Sequence, residues 1–336
     1  MVAQVDSHYI RTRPTRLYSR LLSYALFEGR PLTTRGQWIN PMLFAQFALF
    51  KRLPKLKTVK APIFILGTGR SGTTILGIVL SMHQDVGFLN EPKALWHALH
   101  PGEDLIGSYS RAPARYRLSA EDVSMTLREG AKRLFGAYLF TSINKRIVDK
   151  YPELIFRVPF VKAIFPDARF LFLSRDGWDT CSSIEQWSQR LGQEVAGEVH
   201  DWWGVNSRKW LLLVDQIVPE HADLAPHMAM LRNLDDHRAR AAVEWIITMR
   251  EGLRLVREYS HDVMHVPYEA MCIQPEDTMR RIAEFTGLRD DPVYLRYAKD
   301  VLIPTTARKP FRLPEYLEAP FAATQAALGH GGRAAA

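Results

Sequence analysis

Residues 62–74, Pro62-Ile63-Phe64-Ile65-Leu66-Gly67-Thr68-Gly69-Arg70-Ser71-Gly72-Thr73-Thr74, read as a short apolar strand running into a glycine-rich turn. The next eight, Ile75-Leu76-Gly77-Ile78-Val79-Leu80-Ser81-Met82, continue as a largely buried helix. Strand, turn and helix in this order aim several backbone N–H groups and the positive end of a helix dipole at one point. That point binds a phosphate or sulfate oxyanion.

The spacing nearly matches the phosphate loop of nucleotide kinases, G-x-x-x-x-G-K-[ST], with Gly67, Gly72 and Thr74 in place. Thr73 stands where that loop requires lysine, and the cation lies instead at Arg70. Without a lysine to span β- and γ-phosphates, a donor with a different arrangement of anionic groups is expected.

The 336 residues, 47% hydrophobic and 24% charged, suit a globular enzyme with a sizeable core. Cys181 and Cys272 are too few for a disulfide scaffold and are expected as buried free thiols. Charge is uneven. Residues 1–60 carry eleven lysines and arginines against Asp6 and Glu28, so the +8 of the whole chain resides there. A near-neutral body argues against nucleic acid as partner. The cations of residues 1–60 are interleaved with apolar residues such as Leu17, Tyr18, Leu21, Leu22 and Phe44. Such a segment can lie on an anionic membrane surface, or pack on the domain with its arginines in solvent. No apolar run reaches eighteen residues, and the first residues lack the apolar core of a secretory signal. A cytoplasmic protein is expected, peripheral to a membrane if the first segment docks there. The expected organisation is a basic extension over 1–60, an α/β domain over 61–328 and a disordered tail over 329–336.

Further along, residues 87–89 predict a short strand ending at Asn90-Glu91-Pro92, residues 97–117 a long loop, and residues 120–135 a helix capped by Ser119 and Asp122. Residues 155–158 suggest a strand and residues 160–165 a short helix. The run Arg169-Phe170-Leu171-Phe172-Leu173 suits a buried parallel strand, and a helix begins at Trp178. A long helix over 238–259, a strand over 261–266 and a helix over 276–286 closed by Gly287 complete the pattern.

Three motifs in register resemble the sulfotransferases that use 3′-phosphoadenosine 5′-phosphosulfate (PAPS) and release the 3′,5′-bisphosphate PAP. GTGRSGTT resembles their 5′-phosphosulfate loop. FPDARFLFLSRDGWDTCSS resembles their 3′-phosphate element, and VPYEAMCIQPEDTMRRIAEFTGL their strand-helix block near the C-terminus. The resemblance spans residues 62–288 and implies a central, mainly parallel sheet flanked by helices, like that of P-loop NTPases, with a helical N-terminal extension. It implies that Gly69, Arg70, Ser71, Gly72, Thr73 and Thr74 hold the 5′ end, and that Arg175 and Ser183 hold the 3′-phosphate. The residues agree with it: two anionic centres at opposite ends of one nucleoside need two sites, and a guanidinium fork suits phosphate.

The acceptor hydroxyl needs a base near the loop. Family members use a His or a Glu after the loop's helix, so Glu91 is expected in that role, with His97, His100 and Glu103 as competitors. Lys150, before Pro152, is expected to neutralise charge on the leaving group, alongside Arg70. Because cations suffice for that task and no His/Cys cluster has metal-ligand spacing, a metal-free enzyme is expected. Three departures stand out. Leu154 replaces an Asn frequent in bacterial relatives. Ile75 replaces a tryptophan that stacks on adenine, which leaves Tyr268 as platform. Residues 305–310 are basic through Arg308 and Lys309 but lack the family's glycine. Trp203, Trp210 and Trp245, with Trp202, read as core rather than as a sugar platform. The acceptor is expected to be a hydroxyl-bearing lipid, small molecule or glycan. The rival readings are a nucleotide-dependent kinase and a non-catalytic, membrane-peripheral nucleotide-binding protein.

Overall fold

The computed structural model describes residues 3–31, 33–34, 36–195 and 197–330. Three helices come first: α1 (Ser7–Thr12), α2 (Arg16–Leu26) and α3 (Asn40–Arg52). Strands and helices then alternate: β1 (Ile63–Gly67), α4 (Thr73–Ser81), β2 (Val86–Asn90), α5 (Lys93–Leu99), α6 (Met125–Thr141), β3 (Arg146–Lys150), α7 (Val158–Ile164), β4 (Arg169–Ser174) and α8 (Gly177–Leu191). A small antiparallel sheet follows, β5 (Gln193–Val195), β6 (Glu198–Asp201) and β7 (Gly204–Val205), and after it α9 (Arg208–Gln216), α10 (Met228–Arg232) and α11 (His237–Glu258). The chain closes with β8 (Val263–Pro267), α12 (Tyr268–Ile273), α13 (Pro275–Thr286), α14 (Pro292–Val301) and α15 (Glu315–Ala327).

The main sheet has the order β2-β3-β1-β4-β8, every pairing parallel. A parallel sheet must be covered on both faces, and the alternation along β1 shows how. Phe64 and Leu66 pack with Trp96, Phe135 and Phe170 on one side; Ile63 and Ile65 pack with Leu76, Val79 and Leu171 on the other. Cys181 and Cys272 are buried free thiols.

Several expectations need correction. Residues 155–158 are not a strand. Pro152, which has no N–H for a ladder, opens a 3-10 helix over Pro152–Arg157, and the pairing strand is β3 just before it. Ser119 and Asp122 do form a capping box, but it closes only a 3-10 turn; α6 starts after Ser124, whose hydroxyl accepts from Leu127 N–H at 3.1 Å. The loop expected from His97 is shorter, since α5 runs to Leu99. Gly329 and His330 are described, and His330 N–H closes onto Gln325 C=O at 2.9 Å; the rest of the expected tail lies outside the described residues.

The arginines of the N-terminal segment do not all face solvent. On α2 the buried residues are Arg16, Ser19, Arg20 and Ser23, so this amphipathic helix turns its polar face inward. Arg16 donates to the carbonyls of Ser81 (3.0 Å) and Gln84 (3.2 Å) and to Asn144 Oδ1 (2.8 Å). Arg20, 2% exposed, forms a two-pronged ion pair with Glu28, whose Oε1 also accepts Asn90 N–H at 2.8 Å. Arg13 holds Asp291 through both guanidinium nitrogens. These cations satisfy carbonyls and carboxylates that would otherwise be buried without partners.

Removing one partner of a buried ion pair leaves the other charge desolvated and alone. Arg20→Met is expected to lower unfolding free energy by about 3–5 kcal/mol, read from urea denaturation.

Candidate active site

All the expected site elements meet at the carboxyl edge of the sheet, where open α/β folds bind ligands. Gly67 ends β1 opposite Leu173, Asn90 ends β2 opposite Lys150, and Ser174 ends β4 opposite Pro267. Glu91, Arg175 and Tyr268 each follow directly on a strand end, and Lys150 is itself the last residue of β3.

The loop after β1 is shaped by its glycines. Gly72 has φ +97°, and a Cβ there would lie 2.3 Å from the Tyr268 ring; a Cβ on Gly69 would lie 2.3 Å from Trp202. Gly72 is also the N-cap of α4, which has no side-chain cap. Ser71 Oγ donates to Thr68 C=O at 2.5 Å and the residue is fully buried, so its hydroxyl stiffens the loop. Thr73 is buried, while Gly69, Arg70 and Thr74 border the pocket.

Arginines converge beside this loop. Arg70 Nε donates to Ser183 Oγ at 3.1 Å, and Arg175 Nη1 donates to Arg70 C=O at 3.3 Å. Arg175 also reaches Thr305 Oγ1 at 3.1 Å and Asp179 at 3.4 Å, while Trp245 Nε1 holds its carbonyl at 3.0 Å. Arg308 is brought in by its backbone N–H, which donates to Asp179 Oδ1 at 2.8 Å. Burial lowers the pKa of Arg70, and repulsion from Arg190, Arg175 and Arg308 lowers it further. Arg190, in the last turn of α8, was not expected from the sequence; its position seven residues beyond Ser183 carries no motif. Lys309 is exposed. Tyr268 lies under Arg175, whose guanidinium carbon is 4.3 Å from the ring centroid, with Gly72 against the ring edge. One of its faces is therefore occupied by Arg175, which fits a support for that arginine better than an adenine platform.

Beyond the loop lies a pocket of about 570 Å³. Glu91 enters it with φ +50°, a conformation rare for a side chain of this kind, and is held by its N–H donating to Lys150 C=O at 2.7 Å. Its carboxylate meets Lys150 Nζ at 2.5 Å and Lys93 Nζ at 3.5 Å. Burial pushes the Glu91 carboxyl up, but these two ammonium groups overcome it and hold the pKa at about 2. Lys93 is shared with Glu153 at 3.3 Å, and across the pocket Lys209 pairs with Glu244 at 2.5 Å. Trp202 Nε1 donates to Glu244 at 2.7 Å, with Lys209 4.8 Å from the ring centroid.

His97, His100 and Glu103 do not border this pocket. His97 packs against Phe44 and Tyr109, His100 against Phe160, and buried Glu103 is tied to Arg157 (3.1 Å) and Tyr151 (2.6 Å). Leu154 is a core residue, 1% exposed. Trp203, Trp210 and Trp245 are core as expected, but Trp202 is a wall of the pocket. Lys93, Glu153, Lys209 and Glu244 were missed. Lys93, two residues after Glu91, and Glu153, three after Lys150, lay near enough in sequence to be suspected.

The profile of the sulfotransferase family matches residues 62–292. The chain belongs to the sulfotransferase family. Among solved structures, sulfotransferase STF9 from Mycobacterium avium is 17% identical, with 96% of this chain and 92% of that one covered at a TM-score of 0.53. Sulfotransferase STF1 from Mycobacterium tuberculosis H37Rv is 15% identical over 88% of each chain, with a TM-score of 0.40. An uncharacterised protein of Aquifex aeolicus (strain VF5) is 23% identical over 242 residues, 71% of this chain. The chain spans 27% of the length of that relative.

Asp149, the residue before Lys150, is fully buried and accepts Trp96 Nε1–H at 2.8 Å. Burial raises its pKa from 3.8 to about 8. Between those values the folded protein holds a proton that the unfolded chain has lost, so Asp149 makes stability fall as pH rises from about 4 to about 8. Asp149→Asn should therefore gain stability relative to the parent over that interval, with the two converging at its acid end. Thermal melts of both proteins across the range check this.

Proposed function

We propose that this sulfotransferase moves a sulfuryl group from PAPS to a hydroxyl of a lipid, small-molecule or glycan acceptor. The observation that carries the reading is the gathering of Arg70, Arg175, Arg190 and Arg308 beside the glycine-rich loop, close enough for their repulsion to lower the Arg70 pKa. Such an arrangement favours a polyanion. The uncapped start of α4 fits the 5′ end of the donor, and Arg175, with Ser183 brought near it through Arg70, fits a second phosphate.

The donor supplies the sulfuryl group, whose bond to the 5′-phosphate oxygen breaks as the acceptor oxygen bonds to sulfur. Glu91 takes the acceptor proton. Ionised down to pH of about 2, it is a weak base while Lys150 neutralises it. As charge collects on the leaving phosphate oxygen, Lys150 and Arg70 are drawn to it, and Glu91 becomes more basic as it loses its partner. Lys93, fixed by Glu153, keeps the carboxylate oriented. Gly69, Thr73 and Thr74 present backbone N–H groups, whereas Lys309 is a peripheral cation.

Calorimetric titration with PAP is the direct test, with Mg²⁺-ATP as control. PAP alone should bind, and Arg175→Ala should weaken it about ten- to a hundredfold through loss of charge-assisted hydrogen bonds. Binding of Mg²⁺-ATP instead would favour a kinase, and binding of neither would remove the donor assignment.

Glu91→Gln should keep PAP affinity and lose about 10²–10⁴-fold in turnover, read in an acceptor screen with PAPS. Full activity of that variant would assign the proton to another group.

A further inference from the structure

We propose that the outer face of α2 and α3 docks on an anionic lipid surface. The inward turn of the polar side of α2 has a counterpart: Tyr18 and Leu21, on the opposite side, are exposed. On α3, Asn40, Leu43 and Phe47 are buried, while Met42 and Leu49 face outward. Trp38, just before α3, is 83% exposed. The two helices form one surface. Gln46 Nε2 donates to Leu26 C=O at 2.9 Å, and Phe27 and Phe50 stack with centroids 6.1 Å apart. Tyr18 Oη donates to Thr141 C=O at 2.9 Å, and Ile143, two residues further on, is 79% exposed. Leu22 and Leu26 of α2 pack partly against the core, so the apolar side chains left in water are Tyr18 and Leu21, with Trp38, Met42 and Leu49 on and beside the helix that α2 touches. Large apolar side chains exposed together on two touching helices mark an interaction site.

Charge selects the occupant. Arg52, Lys55 and Lys60 are exposed at the end of this face, Lys55 partly offset by Glu129 at 2.9 Å. Of the two acids in residues 1–60, Glu28 is buried against Arg20 and Asp6 caps α1. A second copy would bring the same cations against themselves, since a two-fold interface pairs a patch with itself. Anionic headgroups complement them, and Trp and Tyr rings suit the boundary between apolar and wet layers. No helix among the described residues is long and apolar enough to cross a membrane, so attachment would be to the surface. Gly29, Arg30, Thr33 and Thr34, from the connection between α2 and α3, also line the pocket. Docking would therefore bring one pocket wall to the lipid surface.

The test is co-sedimentation of the full chain with vesicles of phosphatidylcholine containing phosphatidylserine, against phosphatidylcholine alone. Binding is expected to the anionic vesicles only, to weaken as salt is raised, and to fall by about tenfold or more in Met42→Glu/Leu49→Glu. Both positions are exposed, so the variant should keep the parent's urea midpoint. A parent that stays in the supernatant, or a double variant that binds as the parent does, overturns the proposal. So does a dimer, seen by light scattering, that the double variant dissociates, because the face would then belong to a second copy. None of these readouts depends on the donor or on turnover.

Discussion

Parallel pairing is the constraint on which the molecule depends. Five strands running the same way deliver their last residues to one edge, and each loop leaving that edge can contribute a group to a common site. Register converts this into contact: pairing Asn90 with Lys150 sets Glu91 beside the ammonium group that governs its proton affinity. Pairing Gly67 with Leu173 places the glycine-rich loop next to Arg175, and pairing Ser174 with Pro267 places Tyr268 beneath that arginine. A shift of one residue in any of these ladders would turn the side chains to the other face of the sheet and dissolve the site.

The protein uses its buried charges in two ways. In the N-terminal segment, Arg13 and Arg20 are neutralised by carboxylates and Arg16 donates to carbonyls at strand and helix ends, and they bind the extension to the sheet. Glu28 extends this bracing to Asn90, beside the proposed base. Around the glycine-rich loop the reverse holds, because Arg70 lies among cations that oppose its charge. Such strain persists because the surrounding structure fixes the groups, and an anionic ligand would relieve it. Between the two regions, Lys93 with Glu153 and Lys209 with Glu244 line the pocket as neutralised pairs, which can hydrogen-bond an acceptor without adding net charge.

Much of the site was legible along the chain, since strand-turn-helix units carry their ligands within a few residues of a strand end. Arg70, Glu91 and Arg175 each lie within a few residues of a strand end, and Ser183, which came from the family resemblance, lies against Arg70. The misreadings have physical causes. Residues 155–158, apolar apart from Arg157, read as a strand, but Pro152 and the demand for burial from every side make a 3-10 helix over Pro152–Arg157. For residues 1–60 one expectation placed the arginines in solvent, whereas in α2 Arg16 and Arg20 lie inside. A pattern separates two faces of a helix, but which one turns inward depends on the partners that the fold supplies.

Local sequence therefore determined most of the strands, the glycine-rich turn, the arginine after β4 and the carboxylate at the end of β2. Each depends on backbone conformation and polarity over a few consecutive residues. Tertiary structure alone decided that Lys209 and Glu244 share a pocket with Glu91, that Arg190 joins the arginine cluster, and that the arginines of α2 lie inside. These are contacts between segments distant in sequence. They exist only because pairing register and packing bring those segments together, and no spacing within a single segment encodes them.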